Sequence, residues 1–321
     1  MMRHIASRGA FFSVAASELA MLLALSCAAP IQFSNSIDPL ALLAKDRLAY
    51  ARVSGAVARE LAPEIMSASE LASAKDLLAR TRIVSLGIGQ AGGDGTDSLQ
   101  AVLVGDYPFR AAFLSLNANR EWKREKSSFY NSRLGLRAAV PGPSLIVASK
   151  GPIDGLLQAA AESQASGPPP SPIPSRLSGL ATAELVLWIP NPFKSLAEKY
   201  ANEGMDVPAL GLLIASSPNV ADKSVYDTTV TFLMDSPESV KIYKPLLKLA
   251  WYAIASGLFA DEGGAIPHAD FVAKGEVYAA EGVALSRNAI VRALKNSVGS
   301  GLGGLGPDRS LTPSESGHEL R

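Results

Sequence analysis

Apolar residues recur along this chain in two rhythms, and the change of rhythm predicts an alternation of strands and helices. Leu48–Val53 reads as a short strand. Ala56–Met66 and Ser69–Arg80 carry the three-to-four-residue spacing of helices. Pro63 interrupts the first, and Ser69 with Glu70 suits the N-terminus of the second. Ile83–Gly89 and Leu99–Gly105 are apolar strands, joined by the Gly- and Asp-rich stretch 90–97, a hairpin loop by composition. Asp106 and Pro108 open a helix to about Asn119. Strands follow over Glu121–Lys126, Phe129–Val140 and Leu145–Ala148, then a helix over Ile153–Ser163.

The stretch 167–175 holds five prolines and suits neither sheet nor helix interior, so it reads as a semi-rigid spacer. Beyond it the order resumes: strand Glu184–Ile189, helix Phe193–Glu203, strand Leu210–Ala215. Tyr226–Met234 alternates cleanly, and Ser236-Pro237-Glu238 opens a long helix to Phe259. Two strands lie within Phe271–Leu285, broken near Gly275 or Gly282, and a helix covers Arg287–Val298. Each half therefore spells β-α-β-β-α-β-β-α. The endings correspond: an apolar strand, a serine, a base, then a helix, at Leu145–Lys150 and again at Val283–Arg287.

These patterns predict an α+β fold of two similar halves, 45–166 and 177–298, joined by the linker 167–176. Each half has a core in the order of a ferredoxin-like split βαβ unit, with antiparallel or mixed sheets and helices on one face. A groove between two such halves is a natural place for an apolar ligand. Residues 299–321, rich in Gly, Ser and charge, are expected to be a disordered tail.

At the start of the chain, Arg3 and Arg8 precede the apolar run Leu19–Leu25, and Ser26 precedes Cys27, the single cysteine of the chain. That order is the pattern of a secretory signal peptide over residues 1–26. With Cys27 directly after it, the stretch resembles the bacterial lipoprotein signal, in the relaxed lipobox form of spirochaete envelope lipoproteins. The resemblance covers residues 1–27 and implies that Cys27 carries lipid, that 27–44 is a tether, and that the protein is held on the cell envelope. Two other readings stay open: ordinary cleavage after Ser26, and a buried free cysteine.

The remainder carries 28 basic and 29 acidic side chains, so it has no positive surplus for a phosphate backbone, and no nucleic-acid role is expected. A lone cysteine forms no internal disulfide, and no later apolar run is long enough to span a bilayer. Gly87-Ile88-Gly89-Gln90-Ala91-Gly92 spells a dinucleotide-type glycine pattern, but a strand follows it where a cofactor needs a helix. His268 and His318 are the histidines beyond the signal, too few for a metal cluster. No cofactor, metal site or catalytic residue is expected.

One segment stands apart. Leu246–Phe259 carries a single charge, Lys248, and is apolar around most of its circumference. Such a helix is either core or a lipid-receiving surface, and Leu247, Leu249, Trp251, Ile254 and Leu258 are its candidate ligand-binding residues. The expected function is thus a lipid-anchored, non-enzymatic envelope protein that binds a partner protein or an apolar ligand between its halves. The alternatives are a lipid carrier or membrane-perturbing protein working through 246–259, and, third, an exported hydrolase.

Overall fold

The computed structural model describes residues 38–91, 97–118, 120–142, 144–167, 169–194, 207–259 and 268–300. Cys27, the expected signal and tether up to residue 37, the helix expected at Phe193–Glu203 from residue 195 on, and the expected tail from 301 lie outside the described residues.

The described strands form one antiparallel sheet of twelve in the order β11-β12-β10-β9-β8-β1-β2-β3-β7-β6-β5-β4. The first half contributes β1 (Ala49–Ser54), β2 (Thr81–Ala91), β3 (Asp97–Gly105), β4 (Trp122–Glu125), β5 (Ser128–Asn131), β6 (Leu136–Gly142) and β7 (Leu145–Ser149). The second contributes β8 (Leu185–Pro190), β9 (Ala209–Pro218), β10 (Val225–Met234), β11 (Asp270–Lys274) and β12 (Val277–Ser286). Six α-helices are described: α1 (Gly55–Ile65), α2 (Ala68–Arg80), α3 (Phe109–Ala118), α4 (Asp154–Ser166), α5 (Pro237–Phe259) and α6 (Arg287–Ser300).

The halves are not two bodies on a spacer. β1 pairs with β8 in the middle of the sheet, Tyr50 opposite Trp188 and Val53 opposite Leu185. The stretch around the prolines is packed on the sheet: Ile173 and Leu177 are buried, Ser171 Oγ donates to Asp38 Oδ2 at 2.7 Å, and Arg176 pairs with Glu276. Arg52 Nη2 also donates to the Ala183 carbonyl at 3.1 Å. A run of prolines breaks helix and sheet but does not prevent burial, and two apolar residues, Ile173 among the prolines and Leu177 after them, hold the crossing down. Likewise Leu40, Leu42 and Leu43, expected in the tether, are core residues, in or next to a 3-10 turn capped by Asp38.

The strand order also departs from a ferredoxin-like unit. That unit needs β1 and β2 parallel with another strand between them. Here α1 and α2 form a helical pair between β1 and β2, and two helices return the chain antiparallel beside its starting strand. A split βαβ does occur at β10-α5-β11, where β12 lies antiparallel between the two outer strands.

Alternation along each strand sends side chains to two covered faces. On one face α1, α2, α3, α5 and α6 pack over Leu212, Tyr226, Phe232, Tyr278 and Leu285 in the second half, and over Phe129, Leu136, Ala138 and Ile146 in the first. On the other face α4, the 3-10 turn 39–42 and the segment 173–183 cover Tyr50, Val102, Leu145, Val147, Trp188 and Leu213. Helices therefore occupy both faces, not one. The closing helices of the halves, whose sequences correspond, sit on opposite faces: Leu156 and Ala160 of α4, with Ile153 just before it, on one, Ile290 and Val291 of α6 on the other.

Candidate functional site

The helix α5 begins where the sequence places it. Ser236 Oγ accepts from the Ser239 amide at 3.2 Å, Ser239 Oγ donates to Asp235 Oδ1 at 2.6 Å, and Glu238 lies in the positive first turn. The helix runs through Pro245. A proline there has no N–H for the Lys241 carbonyl four residues back, and because Pro245 is on the exposed side, water can serve that carbonyl.

Helical periodicity then divides α5 into two stripes. Val240, Leu247, Trp251 and Ala255 are buried against β10, β12 and α6, with Tyr243, Ala250 and Ile254 at the margin. On the opposite side Ile242 is 71% exposed, Leu249 64% and Tyr252 39%. Pro245, Ala253 and Ser256 are exposed on the same side. The five candidate residues thus do not form one site. Leu247 and Trp251 are core, Ile254 borders the core, and Leu249 faces outwards. The side chain of Leu258 lies outside the described residues.

Charge follows the same division. Lys241, Lys244 and Lys248 are exposed, and Glu238 is the helix's single acid. Lys248 Nζ stands 4.9 Å from the centre of the Phe271 ring and 6.0 Å from that of Tyr252. Tyr252, Phe271 and Tyr278 form a run of rings beneath it, at centroid separations of 6.3 and 5.8 Å. The result is an apolar strip beside a row of ammonium groups. Among the described residues no helix is long and apolar enough to cross a membrane. Ile242 was missed because the candidate segment began at 246, and Tyr252, inside it, was passed over for its neighbours; the helical spacing 242, 245, 249, 252 finds both.

The other sequence candidates are placed as follows. Gly87 and Gly89 lie within β2, whose next strand is β3, antiparallel to it; residues 92–96 are outside the described ones. Gly87 packs beneath the Arg47 side chain and Leu43. His268 is 88% exposed just before β11, with Asp270 3.9 Å away. Among the described residues no group of three His, Cys, Asp or Glu side chains is placed to hold a metal ion. The halves meet edge to edge at β1–β8 rather than face to face, so the expected groove between facing halves has no walls there. A cleft of about 410 Å³ does lie at the far edge, lined by Glu125–Ser128, Arg137 and Pro152–Asp154.

No family model matches the chain, and no curated protein matches it. Solved structures do. Crystal form III of TP0453 superposes with a TM-score of 0.54 at 15% identity, covering 81% of this chain and 99% of that one. Crystal form IV gives 0.54 at 16%, covering 81% and 97%, and crystal form I gives 0.53 at 14%, covering 82% and 99%. At such identities the likeness is one of fold, and this chain has a mixed α+β fold similar to that of TP0453.

Proposed function

We propose that the protein is a non-enzymatic envelope protein, anchored by lipid on Cys27, that lays the outer stripe of α5 on a lipid surface. The observation that carries this is the exposed set Ile242, Leu249 and Tyr252 beside Lys241, Lys244 and Lys248. Three large apolar groups on the solvent side of one helix are costly to leave in water, and burial contributes about 25 cal/mol per Å² of apolar surface. Adjacent lysines add attraction for anionic headgroups.

The same reading takes the two halves as a duplication. In its support, β1-β2-β3-β7-β6 and β8-β9-β10-β12-β11 follow the same order of sequence-matched strands, and α3 and α5 occupy matching places. Like α5, α3 exposes large apolar residues, Phe109 at 39% and Leu114 at 64%.

The test is vesicle co-sedimentation of the full chain carrying Cys27→Ser, which removes the acyl anchor. Binding is expected on anionic vesicles, weaker on zwitterionic ones. Ile242→Ser with Leu249→Ser should abolish it without shifting the melting temperature. No binding to either vesicle, or binding untouched by the double substitution, overturns the role of α5. Unchanged detergent-phase partition of the Cys27→Ser chain overturns the anchor.

A further inference from the structure

The sheet has two outer edges, and they differ in kind. β4 presents Lys123, Arg124 and Glu125 in a row, the charged edge by which sheets discourage further pairing. β11, Asp270-Phe271-Val272-Ala273-Lys274, carries opposite charges at its two ends and an apolar centre, and among the described residues no strand pairs with its outer side. Read antiparallel to itself about Val272, this strand is self-complementary: Asp270 meets Lys274, Phe271 meets Ala273, and Val272 meets Val272.

Hydrogen-bond register agrees with that pairing. β11 and β12 are joined by the two-residue turn Gly275-Glu276, with Gly275 at φ 59°, which makes Lys274 and Val277 a hydrogen-bonded pair. By alternation Val272 and Asp270 also turn their N–H and C=O groups to β12, while Phe271 and Ala273 turn theirs outwards. Phe271 and Ala273 are the two residues that face each other in the self-pairing, so two copies would exchange four backbone hydrogen bonds with none left over.

The charges agree as well. Within the chain Asp270 is the cross-strand partner of Glu281, and both are exposed. Like charges directly opposite destabilise a pair. A second copy puts Lys274 on the free side of Asp270, and on the same sheet face as the half-exposed Val272.

We propose that β11 is a homodimerisation edge: two copies pair β11 to β11 antiparallel about Val272, with Asp270 of each opposite Lys274 of the other. The sheet then continues through both chains, and the two-fold axis runs perpendicular to it. The α5 helices of both copies therefore lie on the same side. The contact is smaller than a standard interface, which places the dimer in the weak class. Pairing through β11 requires nothing of the outer stripe of α5, so it stands or falls independently of lipid binding.

The experiment uses the full chain with Cys27→Ser. Sedimentation over a concentration series should show a monomer–dimer equilibrium. Asp270→Lys alone and Lys274→Asp alone should each weaken it by about tenfold, and an equimolar mixture of the two variants should restore a heterodimer. Both charge positions are at strand ends, so neither variant should lower the melting temperature, and Asp270→Lys, which sets a base opposite Glu281, should raise it slightly. In the same background Val272→Cys should form an intermolecular disulfide on mild oxidation, since non-hydrogen-bonded antiparallel partners lie about 4.5 Å apart at Cα. Leu249→Cys, at a more exposed position, should not. A monomer at every concentration, a dimer indifferent to both charge reversals, or equal cross-linking at 249 and 272 overturns the proposal.

Discussion

Arg287, the first residue of the last helix, holds Glu60 of the first helix, Nη1 to Oε1 at 3.3 Å. The same guanidinium pairs with Glu64 and donates to the Glu60 backbone carbonyl. One side chain thus ties α6 to α1 across the junction of the two halves. The group is half-buried, so screening by water is incomplete. Arg287→Met should lower unfolding free energy by about 1–2 kcal/mol, and Glu60→Gln by less, because Glu64 remains. Urea denaturation of the two variants measures the difference.

Trp188 of β8 fills the space above Gly211 of β9. A Cβ added at 211 would come within 1.8 Å of the Trp188 ring. Gly211→Ala should therefore destabilise by about 1–3 kcal/mol, the usual range for overpacking. Gly55→Ala, whose Cβ would meet the Thr81 carbonyl oxygen at 1.9 Å, should behave likewise. Gly155 in α4 has nothing within 4 Å, and Gly155→Ala should stabilise by about 0.5 kcal/mol. Thermal melts of the three variants give the ranking.

Burial, with the nearby Glu60 charge adding to it, pushes the Tyr226 hydroxyl up to about 12 despite Arg287. Burial also raises Tyr107, whose hydroxyl shares a 2.7 Å hydrogen bond with Thr81. In each case the unfolded chain releases its proton first, near pH 10, while the folded chain keeps it. Stability is therefore complete below pH 10 and falls as pH rises from 10 through 12. Tyr226→Phe should shallow that decline, as read from denaturation midpoints across the alkaline range.

Leu247 and Leu249 lie two residues apart on α5 and should answer to the same substitution in opposite ways. Leu247→Lys places an ammonium in the core and should cost more than about 4 kcal/mol. Leu249→Lys, at a position 64% exposed, should change stability by no more than about 0.5 kcal/mol. Circular-dichroism melts decide between core and surface at each position.

The local elements were legible because each rests on neighbours in sequence. The alternation of Tyr226–Met234 is β10, and the Ser236 cap opens α5. The sheet order was not, because it depends on pairings that no local rhythm encodes. Composition marks 167–175 as a chain breaker, but the burial of Ile173 and Leu177 depends on a surface made by distant strands. The opposite placement of α4 and α6 is similar: their sequences correspond, yet Arg287 finds carboxylates on α1 while α4 finds Leu40 and Leu145 on the other face. For the site, the apolar weight of 246–259 was visible, but the spacing that separates Leu247 and Trp251 from Leu249 becomes meaningful once one side of the helix is known to touch β10 and β12.

The β1–β8 seam also sets a clock. Position 50 has to find position 188, so the central pairing is among the most non-local in the chain, and non-local pairing slows folding. Until β8 has been made, β1 has an open edge, and Tyr50 and Val53 lack their cross-strand partners Trp188 and Leu185. The first half can pair its own strands from β2 outwards, but it keeps an unpaired β1 edge until the second half arrives. A chain cut short before β8 would offer that edge to a neighbouring copy, so aggregation is the expected failure of truncated forms.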